Sequence, residues 1–132
     1  MALALAVATL VVAPHHDLCH TDACVRRIDA KTREATDYRL RHRCNHSVVA
    51  CIDRAAHLHH VSAGWMRSIA WCESRLSPAA SNGTHFGLFQ FDWQTWNAGR
   101  YARRGSPYSA KWSSLQAAWY LRNGQASRWV CA

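Results

Sequence analysis

The sequence predicts a mainly α-helical domain, and three observations carry that prediction. Apolar residues recur at helical spacing in several segments. Ser, Thr or Asp stand where those segments begin, and Gly or Pro where they stop. Alternating strand patterns are scarce. With 132 residues the chain has room for one domain and a modest core. Its 49% apolar and 18% charged content excludes a disordered chain.

The elements follow in order. Met1–Ala13, MALALAVATLVVA, is uninterruptedly apolar but shorter than the roughly 20 residues a membrane helix needs. It has the character of a secretory signal, with small Val11 and Ala13 before a cut, so residues 1–13 are read as a signal segment and the protein as secreted. No other segment is long and apolar enough for membrane insertion. Thr21 or Asp22 caps a first helix running to about Thr32. A polar turn over Arg33–Asp37 leads to a second helix ending near His60, which makes residues 19–61 a helical hairpin. Ser62 then caps a third helix, Ala63 to Ser74, stopped by Ser77-Pro78. Residues 81–84 form a loop, Phe86–Trp96 mixes extended or turn structure with a short helix, and Gly99–Pro107 is a basic loop. Ser114 caps a last helix, Leu115–Asn123, with Gly124 as its stop.

Six cysteines suit an oxidising compartment. Cys44, Val48, Cys51, Ala55 and Leu58 fall on one helical stripe. On one helix Cys44 and Cys51 would stand roughly 10 Å apart. A disulfide tolerates about 7 Å between α-carbons, so they are not expected to bond to each other. In an antiparallel hairpin, Cys24–Cys44 and Cys19–Cys51 share one turn near Glu34, whereas the crossed pairs do not. The nested pairs are therefore expected. A zinc site with His20 and His46 competes, but the spacing lacks the tight Cys-x2-Cys knuckle. The His57/His60 pair has no acidic companion in sequence and reads as cations favoured at a helix C-terminus. Neither a metal nor a cofactor is expected.

The formal charge of +8, nearly all from Arg, favours an anionic partner such as nucleic acid, anionic lipid or a cell-wall polymer. No basic run is interleaved with base-stacking aromatics, so nucleic acid is not expected.

On the third helix, Met66, Ile69, Ala70 and Glu73 share one face. A carboxylate at the edge of an apolar face is partly desolvated, which favours its protonated form and suits a general acid. The stretch Glu73-Ser74, a Pro-containing polar loop and Gly87-Leu88-Phe89-Gln90 resembles the signature of soluble lytic transglycosylases and goose-type lysozymes. Cys72-Glu73-Ser74, with Thr95-Trp96 and Trp129-Val130-Cys131, more closely resembles the catalytic domain of resuscitation-promoting factors, secreted members of the lysozyme superfamily. The match spans Ser62 to Cys131. The Cys-rich segment before it has no counterpart, and the late Ala-Tyr-Asn-type motif of larger transglycosylases is missing.

This resemblance implies a small α+β lysozyme-like domain over residues 62–132 and a Cys72–Cys131 disulfide beside the catalytic helix. It implies cleavage of the MurNAc–GlcNAc β-1,4 bond in peptidoglycan strands, with Glu73 as acid. Gln90 would donate a hydrogen bond to the scissile sugar, Phe86 would wall the cleft, and Gly87 would let backbone approach sugar or helix. Asp92 stands where goose-type lysozymes carry an Asp that holds a water, so both anhydro-forming transglycosylation and hydrolysis stay open. Trp93 and Trp96 are candidate cleft residues. A monomer working on the cell wall is expected. Two other readings are a non-catalytic peptidoglycan-binding or signalling module with the same cleft, and a basic protein that permeabilises anionic membranes.

Overall fold

The computed structural model describes residues 21–132, so the expected signal segment, the expected Cys19 pairing and the competing His20 zinc ligand lie outside the described residues. Among the described residues the fold is mainly helical, with α1 (Asp22–Cys44), α2 (Val48–His59), α3 (Ala63–Ser74), α4 (Trp93–Ala98) and α5 (Ala110–Arg122). Single 3-10 turns cover Ala102–Arg104 and Ala126–Arg128. The only β pairing among the described residues is two isolated antiparallel bridges, Ser81 with Phe86 and Phe86 with Phe91. The chain divides inside α1 into two units, residues 1–34 and 35–132, each taken by itself below.

In the first unit, Thr21 opens α1: its hydroxyl accepts from the Cys24 amide at 3.2 Å. The expected turn over Arg33–Asp37 is absent, and α1 runs on to Cys44. Polarity alone suggested that turn. The segment KTREATDY holds neither Gly nor Pro, and Arg33, Glu34 and Ala35 are good helix formers. The break falls instead at Asn45–His46, after which Ser47 caps α2 by accepting from Ala50 N.

That displaced break overturns the expected disulfides. Cys44 is bonded to Cys51, not to Cys24, and Cys51 is therefore not bonded to Cys19. The two cysteines do not share a helix. The turn between α1 and α2 brings their α-carbons to 4.3 Å. Cys24 is itself disulfide-bonded.

In the second unit, Asp37 binds Arg41 at 3.1 Å along α1 and Arg54 of α2 at 3.0 Å. Helix α2 packs chiefly on α5 and also on α3. The buried faces are dominated by small residues, Ala55 and Ala56 on α2 and Ser113, Ser114, Ala117 and Ala118 on α5. Small side chains let helix axes approach closely, and the larger Ile52, Met66, Ile69, Leu88, Phe89, Phe91 and Trp96 fill the space beside them. Helix α5 starts earlier than expected. Ser109, not Ser114, is its N-cap, accepting from Trp112 N, and Ser114 is buried inside the helix. Gly124 takes φ +73° just past the helix, as a stop requires.

Candidate active site

Helix α3 places Glu73 at the edge of the core. Met66, Ile69 and Ala70 are fully buried, and Glu73, one turn on, is partly buried. Its carboxyl makes no hydrogen bond or ion pair among the described residues. Burial raises its pKa above the ordinary glutamate value, while the imidazole of His85 acts in the opposite sense. The helix ends through two successive left-handed residues, Arg75 at φ 55° and Leu76 at φ 61°. Neither is glycine, so each costs about 1 kcal/mol or more and is held by its surroundings. Arg75 places its guanidinium over the Trp71 ring at 5.3 Å.

The next residue, Ser74, ties the catalytic candidate to the Gly87–Gln90 turn. Its hydroxyl lies 3.0 Å from Ala70 O and 2.7 Å from Leu88 O, so the shorter contact crosses from α3 to the turn. The turn is held from every side. Phe86 and Phe91 exchange backbone hydrogen bonds at 2.9 and 3.0 Å, and Gly87 N donates to Ala80 O at 2.8 Å. Trp129 Nε1 donates to Phe89 O at 2.8 Å.

Two residues given substrate roles turn out to build this turn. Gln90 sits at φ 48° and directs its amide nitrogen to Gly87 O at 2.8 Å and Ala80 O at 3.2 Å. Both amide protons are thereby engaged, and Oε1 remains as the acceptor. Gln90 thus also closes the loop. Gly87, at φ +78°, admits a close approach of backbone, but the backbone is that of Pro107 and Tyr108. A Cβ at residue 87 would run into the Pro107 carbonyl, so any side chain there displaces that loop.

Asp92 is the N-cap of α4. Its Oδ1 accepts from Thr95 N and its Oδ2 from Thr95 Oγ1, both at 2.7 Å. These hydrogen bonds hold its pKa below the ordinary aspartate value, helped by the Gln94 amide and His85. Thr95 is anchored in turn, because Tyr120 Oη donates to its carbonyl at 2.6 Å. Asp92 is therefore a fixed carboxylate, and Glu73 is biased toward the neutral acid.

The aromatic residues sort by exposure. Trp96, a candidate cleft residue, is buried against Phe91 at a ring distance of 5.5 Å and belongs to the core. Spacing alone does not separate the two, since residues three apart on α4 differ by only about 60° in phase. Trp93 is 48% exposed and stacks on Phe86 at 5.1 Å. Tyr108 completes a trio, 5.9 Å from Phe86 and 41% exposed. Phe86 directly follows His85 in the chain, and Trp93 directly follows Asp92. His85 acts electrostatically on both carboxyls, lowering the pKa of each. Thr84 Oγ1 meets His85 Nδ1 at 2.9 Å, and Asn82 Oδ1 accepts from the His85 amide at 2.8 Å.

Cys72, exposed on α3 beside Glu73, is bonded to Cys131 with α-carbons 6.2 Å apart. Sequence reasoning missed Ser74, His85 and Tyr108. The Glu-Ser pair gave a signal for Ser74, whereas Tyr108 reaches the site only because Gly87 seats its backbone. Among the described residues no group of three or more His, Cys, Asp or Glu is placed to hold a metal ion, and no helix is long and apolar enough to cross a membrane. Chemically, the arrangement offers one desolvated acid, one fixed carboxylate and an exposed aromatic surface. Comparison of the chain with protein-family models, with curated proteins and with solved structures gives no match.

Proposed function

We propose that the chain is a secreted peptidoglycan-cleaving enzyme of lysozyme-like type that breaks the MurNAc–GlcNAc bond with Glu73 as its general acid. The observation that carries this reading is the state of Glu73: partly buried, without a protein partner among the described residues, and raised in pKa. A carboxyl in that state keeps its proton to higher pH than an ordinary glutamate and can give it to a glycosidic oxygen. The Phe86–Trp93–Tyr108 trio supports the same reading, since exposed rings stack on the apolar faces of sugars.

Proton transfer from Glu73 to the bridging oxygen breaks the C1–O bond and leaves an oxocarbenium-like MurNAc ring. The Glu73 carboxylate then takes the proton of that ring's own 6-hydroxyl as O6 bonds to C1. No water is consumed, and the acid is restored. Asp92 favours this closure over attack by water, because its oxygens cap α4 and its lowered pKa makes it a weak base. Glu73→Gln should abolish release of soluble muropeptides from purified peptidoglycan, with the unfolding midpoint kept. The products of the unmutated protein should be lighter by one water than hydrolysed ones in mass spectrometry. Undiminished release by the variant would sink the assignment, and reducing-end products would replace ring closure with hydrolysis.

A further inference from the structure

The chain segregates its charge. Residues 93–132 contain no Asp or Glu but carry Arg100, Arg103, Arg104, Lys111, Arg122 and Arg128. The described acids elsewhere in the second unit are largely committed: Asp37 to Arg41 and Arg54, Asp53 to Arg67, and Asp92 to the α4 cap. A cationic face without counter-charge is the result.

That face has a defined place in the fold. Tyr101 anchors the loop of residues 99–107, with its amide donating to Gln116 Oε1 at 2.8 Å and its hydroxyl 2.9 Å from His59 Nε2. The end of α2 and the middle of α5 therefore meet the loop. Around His59 the charged groups Arg100, His60 and Arg122 all have one sign. Arg103 and Arg104 project from the 3-10 turn, exposed and without an ion-pair partner among the described residues. The loop then lies down on Trp112, since a Cβ at Gly105 would strike that ring, and Lys111 covers the ring at 4.3 Å.

We propose that this face, formed by residues 99–106 with Lys111, His60 and Arg122, binds a linear phosphodiester polymer of the polyol-phosphate type. Closely spaced guanidinium groups match repeated phosphates through charge-assisted, bidentate hydrogen bonds. The surrounding chemistry selects among polyanions. A nucleic acid needs exposed rings for its bases, but Tyr101 and Trp112 are half-buried, and Arg100 and Lys111 stand over their faces. An anionic bilayer calls for apolar side chains to insert, and no residue of 99–106 is an exposed large hydrophobic. A polyol-phosphate chain needs neither. The face does not depend on Glu73, so a protein without glycosidase activity would still bind.

The test uses the full chain and a labelled poly(glycerol phosphate), with single-stranded DNA, hyaluronate and anionic phosphatidylglycerol vesicles as competitors. With four phosphate contacts, affinity should fall roughly 50-fold between about 50 and 200 mM salt. Arg103→Glu/Arg104→Glu should weaken binding at low salt by about tenfold or more. The milder Arg103→Ala/Arg104→Ala should flatten the salt slope by about 1.4, and Glu73→Gln should change neither. Arg39→Glu/Arg43→Glu, an equal charge change on α1, should stay within about twofold of the unmutated chain. Equal loss in the α1 variant would reduce the effect to net charge and overturn the site. Absence of binding at low salt, or tighter binding of DNA, hyaluronate or vesicles, would overturn the partner.

Discussion

The C-terminal end of α3 and the N-terminal end of α4 each carry a carboxylate, and their surroundings treat the two oppositely. Asp92 stands at a helix start, where free amides and the positive end of the macrodipole stabilise its charge, and Thr95 supplies donors to both oxygens. Glu73 stands in the last turn of α3, at the negative end of the dipole, desolvated and without a donor among the described residues. The chemical group is nearly the same, but burial raises the pKa of Glu73 while the Thr95 hydrogen bonds lower that of Asp92. The contrast also separates a carboxylate held by its cap from one left without a donor among the described residues.

The largest way to disturb that contrast is to release the helix that carries Glu73. Cys72→Ser/Cys131→Ser removes a link with a sequence separation of 59, which by loop entropy is worth about 4 kcal/mol. Cys44→Ser/Cys51→Ser removes one with a separation of 7, worth about 2 kcal/mol. Urea unfolding of both variants should preserve that order. The reverse order would mean that the α3 end is held by Ser74 and Trp129 rather than by the disulfide.

A smaller effect tests the carboxylates directly. Asp92→Ala should cost about 1 kcal/mol as a lost cap, and Asp92→Asn less, because the amide oxygen still accepts. Glu73→Gln should be neutral or stabilising at pH 7, since it removes a charge that burial disfavours. The pH dependences must have opposite signs. With its folded pKa below 3.8, Asp92 contributes stability that is present above that value and lost as pH falls through the folded pKa. With its folded pKa above 4.5, Glu73 contributes stability that is full below that value and lost as pH rises through the folded pKa. Thermal midpoints from pH 3 to 7 for the two variants, taken relative to the unmutated chain, should diverge in opposite directions. Parallel curves would refute the contrast.

Much of α3 was legible in the sequence because a single helix carries its own signals. Ser62 gives the cap, the spacing from Met66 to Ala70 gives the buried face, and Glu73 falls on its edge. What escaped needed contacts between segments. The length of α1 escaped because polarity resembles a turn when no Gly or Pro marks one. The Cys44–Cys51 bond escaped for the linked reason that the break sits between the two cysteines. The part Gln90 plays in closing the turn escaped because sequence does not show Ala80 O and Gly87 O beside its amide. Tyr108 had no signal of its own, since the Gly87–Pro107 contact brings it to Phe86.

His59 separates the two causes joined in the carboxylate contrast, helix end and burial. It is the last residue of α2, where the dipole alone favours a cation and would raise its pKa. The pKa is instead lowered, first by burial and then by Arg100, His60 and Arg122. Burial and like charges therefore outweigh the helix end. A histidine with a folded pKa below 6.5 contributes stability that is full above 6.5 and lost as pH falls through that value toward the folded one. His59→Gln should flatten the stability profile from about pH 7 to pH 5, at the cost of the bond to Tyr101 Oη, about 1 kcal/mol or less. If acidification over that range stabilises the unmutated chain relative to the variant, the dipole dominates at this helix end, and the explanation of Glu73 by burial loses its support.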